Sequence, residues 1–137
     1  MCYANTFITI SEDSTVISAI VPTPKHNKPT IASIEYDLIY RNPYEYTQED
    51  VQFLTYLIKN QIEMNNLEEK RSEFFSKSKA CFRASPLVKN YGWGIHYNEV
   101  GKVAIYEKGS EHYKQLENSS QLKILKGMRT KKTVRVD

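Results

Sequence analysis

The stretch WGIHYNEVGKVAIYE, residues 93–107, constrains this chain more than any other. Two runs rich in β-branched and aromatic residues, WGIHY (93–97) and KVAIYE (102–107), are separated only by NEVG (98–101). So short a link turns the chain back on itself. The spacing therefore predicts an antiparallel hairpin, with Gly101 available for a positive φ. Alternation then sorts the side chains, placing Trp93, Ile95 and Tyr97 on one face and Gly94, His96 and Asn98 on the other. The first set is the more apolar, so it should face the core and His96 should point away from it. A two-stranded hairpin is marginal in water, so other elements must extend and cover it.

The remaining sequence supplies them. NTFITI (5–10) reads as an N-terminal strand ended by Ser11-Glu12-Asp13, and TVISAIVP (15–22) as a second β-branched run stopped by Pro22 and Pro24. TIASIEYDLIYRN (30–42) fits a strand by alternation and a helix by the stripe Ile31, Ile34, Glu35 and Leu38. Its length and the possible cap Thr30 favour the helix. The clearest helix starts at Thr47, with Asp50 completing a capping-box-like start. Val51, Leu54, Leu57, Ile58 and Ile62 form its apolar stripe, and it is expected to run over about 47–64. A short charged helix is expected in 67–77, another after Ser110, and a last strand at LKIL (122–125). Strands at both ends of a helical middle predict an α+β domain, with a single antiparallel sheet packed against helices.

At 137 residues, with ten Tyr and five Phe, the chain is sized for one domain with a real core, expected over 1–126. Of its 19 Lys and Arg and 16 Asp and Glu, six basic residues and one acidic residue fall in 122–137. The other 13 basic and 15 acidic residues leave the body at −2. That charge argues against a nucleic-acid-binding face on the body, and leaves only the tail for such contacts, through Lys123, Lys126, Arg129, Lys131, Lys132 and Arg135. Residues 127–137 are expected to be loose. Cys2 and Cys81 form neither a disulfide framework nor a zinc spacing, and the N-terminus lacks a signal-peptide pattern. A reduced, cytoplasmic protein is expected. No apolar run reaches membrane-helix length, and no metal or cofactor motif is present. The sequence does not set the oligomeric state.

NTFI, PYEYTQEDV, FFSK, CFRASPL, YGWGIH, GKVAIY and SEHYKQL together mark a family pattern. On these motifs the chain resembles, over about residues 5–130, a family of short microbial proteins of unknown function. The resemblance implies a single compact cytosolic domain. It singles out Arg83, Ser85, Pro86, Tyr91, Gly92, Trp93, Gly94 and His96 as motif positions. It implies no activity, substrate or cofactor, so the chemistry rests on the residues.

Three groups within 81–97 carry it. Cys81 and His96 are candidates for a thiolate nucleophile and its base, with Arg83 nearby to favour the thiolate; the plainer reading makes Cys81 a small buried hydrophobe. Ser85-Pro86 looks like the capped start of a short helix. Its free backbone amides with Arg83 would suit a carboxylate or phosphate, or Arg83 would pair within the fold. Trp93, flanked by Gly92 and Gly94, would stack on a planar ligand or fill the core. His96 lacks companions for a metal: His26 and His112 are scattered. The leading expectation is a domain that binds a small anionic or polar ligand near 83–97 through Arg83, Ser85, Trp93 and His96. The alternatives are a thiol enzyme and a protein- or nucleic-acid-interaction module that uses the tail.

Overall fold

Local signals fix most of the elements. Thr30 accepts from Ser33 N–H at 3.1 Å and Ser33 Oγ accepts from Thr30 N–H at 2.9 Å, which settles the ambiguous segment as helix α1, Ile31–Tyr40. The same reciprocal pairing, Thr47 with Asp50, opens α2, Gln48–Lys59. This helix stops short of the expected Met64 because Gln61 takes a left-handed conformation, φ 54°. Ile62 N–H then bonds back to the Leu57 carbonyl at 2.9 Å, closing the end as a Schellman motif does. Helix α3, Leu67–Phe74, buries none of its residues. Ser85 caps α4, Pro86–Asn90, with Pro86 in its first turn, and Ser110 caps α5, Glu111–Glu117.

The strands are β1 (Thr6–Thr9), β2 (Trp93–Tyr97), β3 (Val103–Glu107) and β4 (Lys123–Lys126), and a computed structural model describes residues 3–130. They form one sheet in the order β3-β2-β1-β4. The hairpin forms in the expected register, Ile95 opposite Ile105, with Gly101 at φ 83° in its loop. β1 pairs antiparallel with β2, but β4 lies parallel to β1, Thr6 opposite Lys123. The expectation of a purely antiparallel sheet is thus corrected: the fold is α+β with a mixed sheet. The reason lies in α5, which carries the chain from β3 across the sheet and delivers β4 in the same direction.

The second correction concerns residues 15–22, expected to be β-rich. They form no strand, and Ile17 is 93% exposed. The run makes isolated bonds instead: Ile20 N–H donates to the Tyr91 carbonyl at 2.9 Å, and Trp93 Nε1–H donates to the Ile20 carbonyl at 2.8 Å. The residues just after β4 reach back to the body of the fold. Residues 127–130 are held: Gly127 N–H donates to Thr9 O, Met128 N–H to Arg83 O, and Arg129 pairs with Glu12. The rest of the tail, with Lys131, Lys132 and Arg135, lies outside the described residues, as does Cys2.

One face of the sheet carries the main core. Ile8, Trp93, Ile95, Tyr97, Val103 and Ile105 pack with Tyr36 and Ile39 of α1, Val51 of α2, Phe82, and Leu87 and Val88 of α4. On the other face α5 sets Tyr113 edge-on to Phe7, ring centroids 5.0 Å apart. Gly94 makes that packing possible, because a Cβ there would stand 2.5 Å from Phe7 Cζ and 2.7 Å from Tyr113 Cε2. The close approach to this glycine is made by the protein's own rings. No helix among the described residues is long and apolar enough to cross a membrane.

Candidate functional site

His96 stands on the α5 face of the sheet, away from the main core, as alternation requires. Its ring is half-buried and forms one end of a polar chain. Tyr44 Oη lies 2.7 Å from His96 Nδ1 and 2.7 Å from Tyr106 Oη. Tyr106 comes from β3, and Tyr44 from the loop after α1, which runs along the open edge of β3. Tyr44 N–H donates to the Val103 carbonyl at 2.9 Å, and Tyr44 itself adopts φ 61°. A tyrosine in the left-handed region is rare and costs about 1–3 kcal/mol. Burial keeps the Tyr44 phenol protonated far above the usual tyrosine range, and its bond to Tyr106 adds to this. Burial also lowers the His96 pKa, against a smaller opposing pull from Glu99, so the ring is neutral near pH 7.

Nε2 of His96 makes no hydrogen bond among the described residues. The ring borders an open cleft of about 410 Å³ that is also lined by Asn5, Asn98, Glu99, Ser119 and Gln121. No Lys or Arg lines it, and its polar groups are carboxamides, a hydroxyl and one carboxylate.

The other candidates in 81–97 lie elsewhere. Arg83 Nε–H donates to the Lys126 carbonyl at 2.7 Å, and the Arg83 carbonyl accepts from Met128 N–H, so this residue clamps the end of β4. Ser85 is 4% exposed. Its Oγ accepts from Leu87 N–H at 3.1 Å and donates to Glu35 at 2.7 Å, so the start of α4 serves internal partners. Trp93 is 5% exposed and meets Tyr36 and Tyr40 edge-on at 5.2 and 5.8 Å. Cys81 Sγ accepts from Tyr3 Oη at 3.4 Å and borders a different cleft, with Gln48, Gln52, Lys77 and Lys79. The structure therefore does not bring Cys81 and His96, or Arg83 and His96, into one cleft. Among the described residues no cluster of three or more His, Cys, Asp or Glu is placed to hold a metal.

Sequence reasoning passed over two features. Tyr44 becomes the partner of His96, and Tyr106 the partner of Tyr44, only through the fold, and nothing in their spacing announces it. Glu35 did carry a signal, a carboxylate on the apolar stripe of α1. It is 6% exposed, accepts one hydrogen bond, from Ser85, and burial pushes its pKa up to about 7.

Compared with curated proteins and with solved structures, the chain matches none. Its sequence matches the model of a family of unknown function, DUF6157, over residues 1–133, and the chain belongs to that family.

Proposed function

We propose that this chain is a small-ligand-binding domain that reads its ligand at His96. The observation that carries this reading is the strained Tyr44, whose hydroxyl bridges His96 and Tyr106. Backbone strain persists where the surrounding structure enforces it, and it clusters at binding sites. The bridge can be written in two directions. If Tyr106 donates to Tyr44 and Tyr44 to Nδ1, then Nε2 offers an N–H to the cleft. If Nδ1–H donates to Tyr44 and Tyr44 to Tyr106, then Nε2 offers a lone pair. One site thus meets either a donor or an acceptor without changing its charge.

The lining sharpens the ligand class. With Glu99 and no cation in the walls, the cleft suits a polar molecule that is uncharged or cationic, with several donors and acceptors, better than an anion. Thermal shifts with polyols, amino acids and small amides test this on wild type, His96→Gln and Tyr44→Phe. At least one compound should stabilise wild type, do little for His96→Gln, and act more weakly on Tyr44→Phe. If no compound stabilises wild type, or if the stabilisation survives intact in His96→Gln, the reading fails.

A further inference from the structure

A second cleft lies on the main-core side of the sheet, between the start of α1, the outer turns of α2 and the segment after α3. It is about 290 Å³ in volume, the scale of a small-ligand site at its lower end. Ile31, Tyr56, Phe74 and Ala80 give it apolar walls. Two buried polar side chains also line it. Glu35 is 6% exposed, and among the described residues only its Oε1 is hydrogen-bonded, accepting from Ser85 Oγ at 2.7 Å. Thr55, also 6% exposed, has a buried Oγ1 with no hydrogen-bond partner among the described residues. A buried hydroxyl left unpaired costs roughly 1–3 kcal/mol, and a buried carboxylate without a cation costs more. In this arrangement neither side chain stabilises the fold.

Two lysines also line the cleft, and each already has a partner. Lys59 of α2 donates its Nζ to the Pro29 carbonyl at 3.1 Å, and Lys79 places its Nζ 4.1 Å from the centre of the Phe74 ring. Phe74 in turn stacks on Tyr56, centroids 4.6 Å apart. The aromatic wall of the cleft already holds a cation on one of its rings, the contact a flat cationic group makes with a π face.

We propose that this cleft binds a small organic cation, a planar amidinium or aryl-ammonium group of fragment size. Its N–H groups would meet the free oxygen of Glu35 and the Thr55 hydroxyl, and its apolar body would lie against Tyr56 and Phe74. Charge-assisted bonds to a carboxylate are the strong ones, and an amidinium presents two in parallel. The site is separate from the His96 cleft, shares no residue with it, and does not depend on the reading given above.

Benzamidine, the neutral benzamide and the anionic benzoate are matched probes, followed by two-dimensional NMR and calorimetry on the full chain. Benzamidine should bind wild type with a Kd of about 1 mM or tighter. It should shift the amides of Glu35 and Thr55 rather than those around His96. Benzamide should bind at least about tenfold more weakly, and benzoate should not bind. Glu35→Gln, close to isosteric and checked for folding by circular dichroism, should lose about tenfold or more in benzamidine affinity. Thr55→Val, which leaves the carboxyl in place, should lose a smaller factor.

A carboxyl that titrates near 7 adds a pH signature. It accepts from the Ser85 hydroxyl at the start of α4 and interacts electrostatically with Tyr97 of β2, while Lys59 of α2 and Lys79 after α3 line the same cleft. The cation needs Glu35 ionised, so benzamidine affinity should rise from pH 5 to about pH 7 and then level off, while Glu35→Gln stays flat. The proposal is overturned if wild type binds no benzamidine at about 10 mM. Equal binding by wild type and Glu35→Gln also overturns it. So does preference for benzoate, which would assign recognition to the two lysines.

Discussion

Glu35 holds a proton that a solvated glutamate would release. Burial raises its pKa from 4.5 to about 7, while the hydrogen bond from Ser85 pulls the other way and is the smaller effect. Between those two values the native state carries a proton that the unfolded chain lacks. The stability tied to Glu35 is therefore full below pH 4.5, declines as pH rises to about 7, and stays reduced above it. Across that window the loss is about 3 kcal/mol. His96 works in the opposite sense. Its lowered pKa means that the unfolded state takes up the proton first, so its contribution is present above the ordinary value of 6.5 and falls on acidification. The two trends overlap, and a raw melting curve against pH understates both. Comparing wild type with Glu35→Gln separates them. From pH 5 to pH 8 wild type should lose about 2 to 3 kcal/mol relative to the variant in urea unfolding, and a constant difference would place the carboxyl in water.

At the scale of elements, the helices form where sequence neighbours satisfy one another's backbone groups. Thr30 with Ser33 and Thr47 with Asp50 close reciprocal boxes, while Ser85 and Ser110 cap more simply. Thr47→Ala should cost about 1 kcal/mol, read as a lower urea midpoint with unchanged slope. These signals are local, which is why the helix starts are legible in the sequence. The end of α2 is less so, because no residue type announces a left-handed glutamine. The direction of β4 is not legible at all. LKIL reads as a strand, but whether it runs with or against its neighbour depends on where α5 crosses the sheet. The His96 site is legible only in part. Alternation turns the imidazole off the core, yet its phenol partner Tyr44 arrives from 52 residues upstream, and the next phenol in the chain, Tyr106, from the neighbouring strand. In the same way Glu35 shows itself as a carboxylate on an apolar stripe, but Ser85, 50 residues away, and the buried Thr55 hydroxyl complete its setting.

At the scale of the whole molecule, the segment 81–97 acts mainly as a junction. Ser85 ties α4 to α1 through Glu35, Trp93 ties β2 to the 15–22 run through Ile20, and Arg83 ties the start of α4 to the end of β4. β4 is an outer strand, itself largely exposed, and leans on that clamp together with the pairs of Glu12 with Lys126 and Arg129. Arg83→Ala should release it locally before the core yields. Amide exchange at Gly127 and Met128 is expected to quicken by about ten- to a hundredfold, while Ile95 and Ile105 in the sheet centre keep their global protection. Uniform acceleration across the sheet would mean that Arg83 supports the whole fold rather than one edge.

The position of β1 has a consequence for how the protein is made. Residues 6–9 are synthesised well before their partners, residues 95–97 on one side and 123–126 on the other. Until residues 95–97 have been made, this strand has both backbone edges open, with Phe7 and Ile8 uncovered. Closing such long loops is slow, because their entropy is spent before any contact repays it. The strand that ends inside the sheet is thus an unpaired apolar segment of the nascent chain until those later residues arrive, a stage at which association with other chains competes with folding.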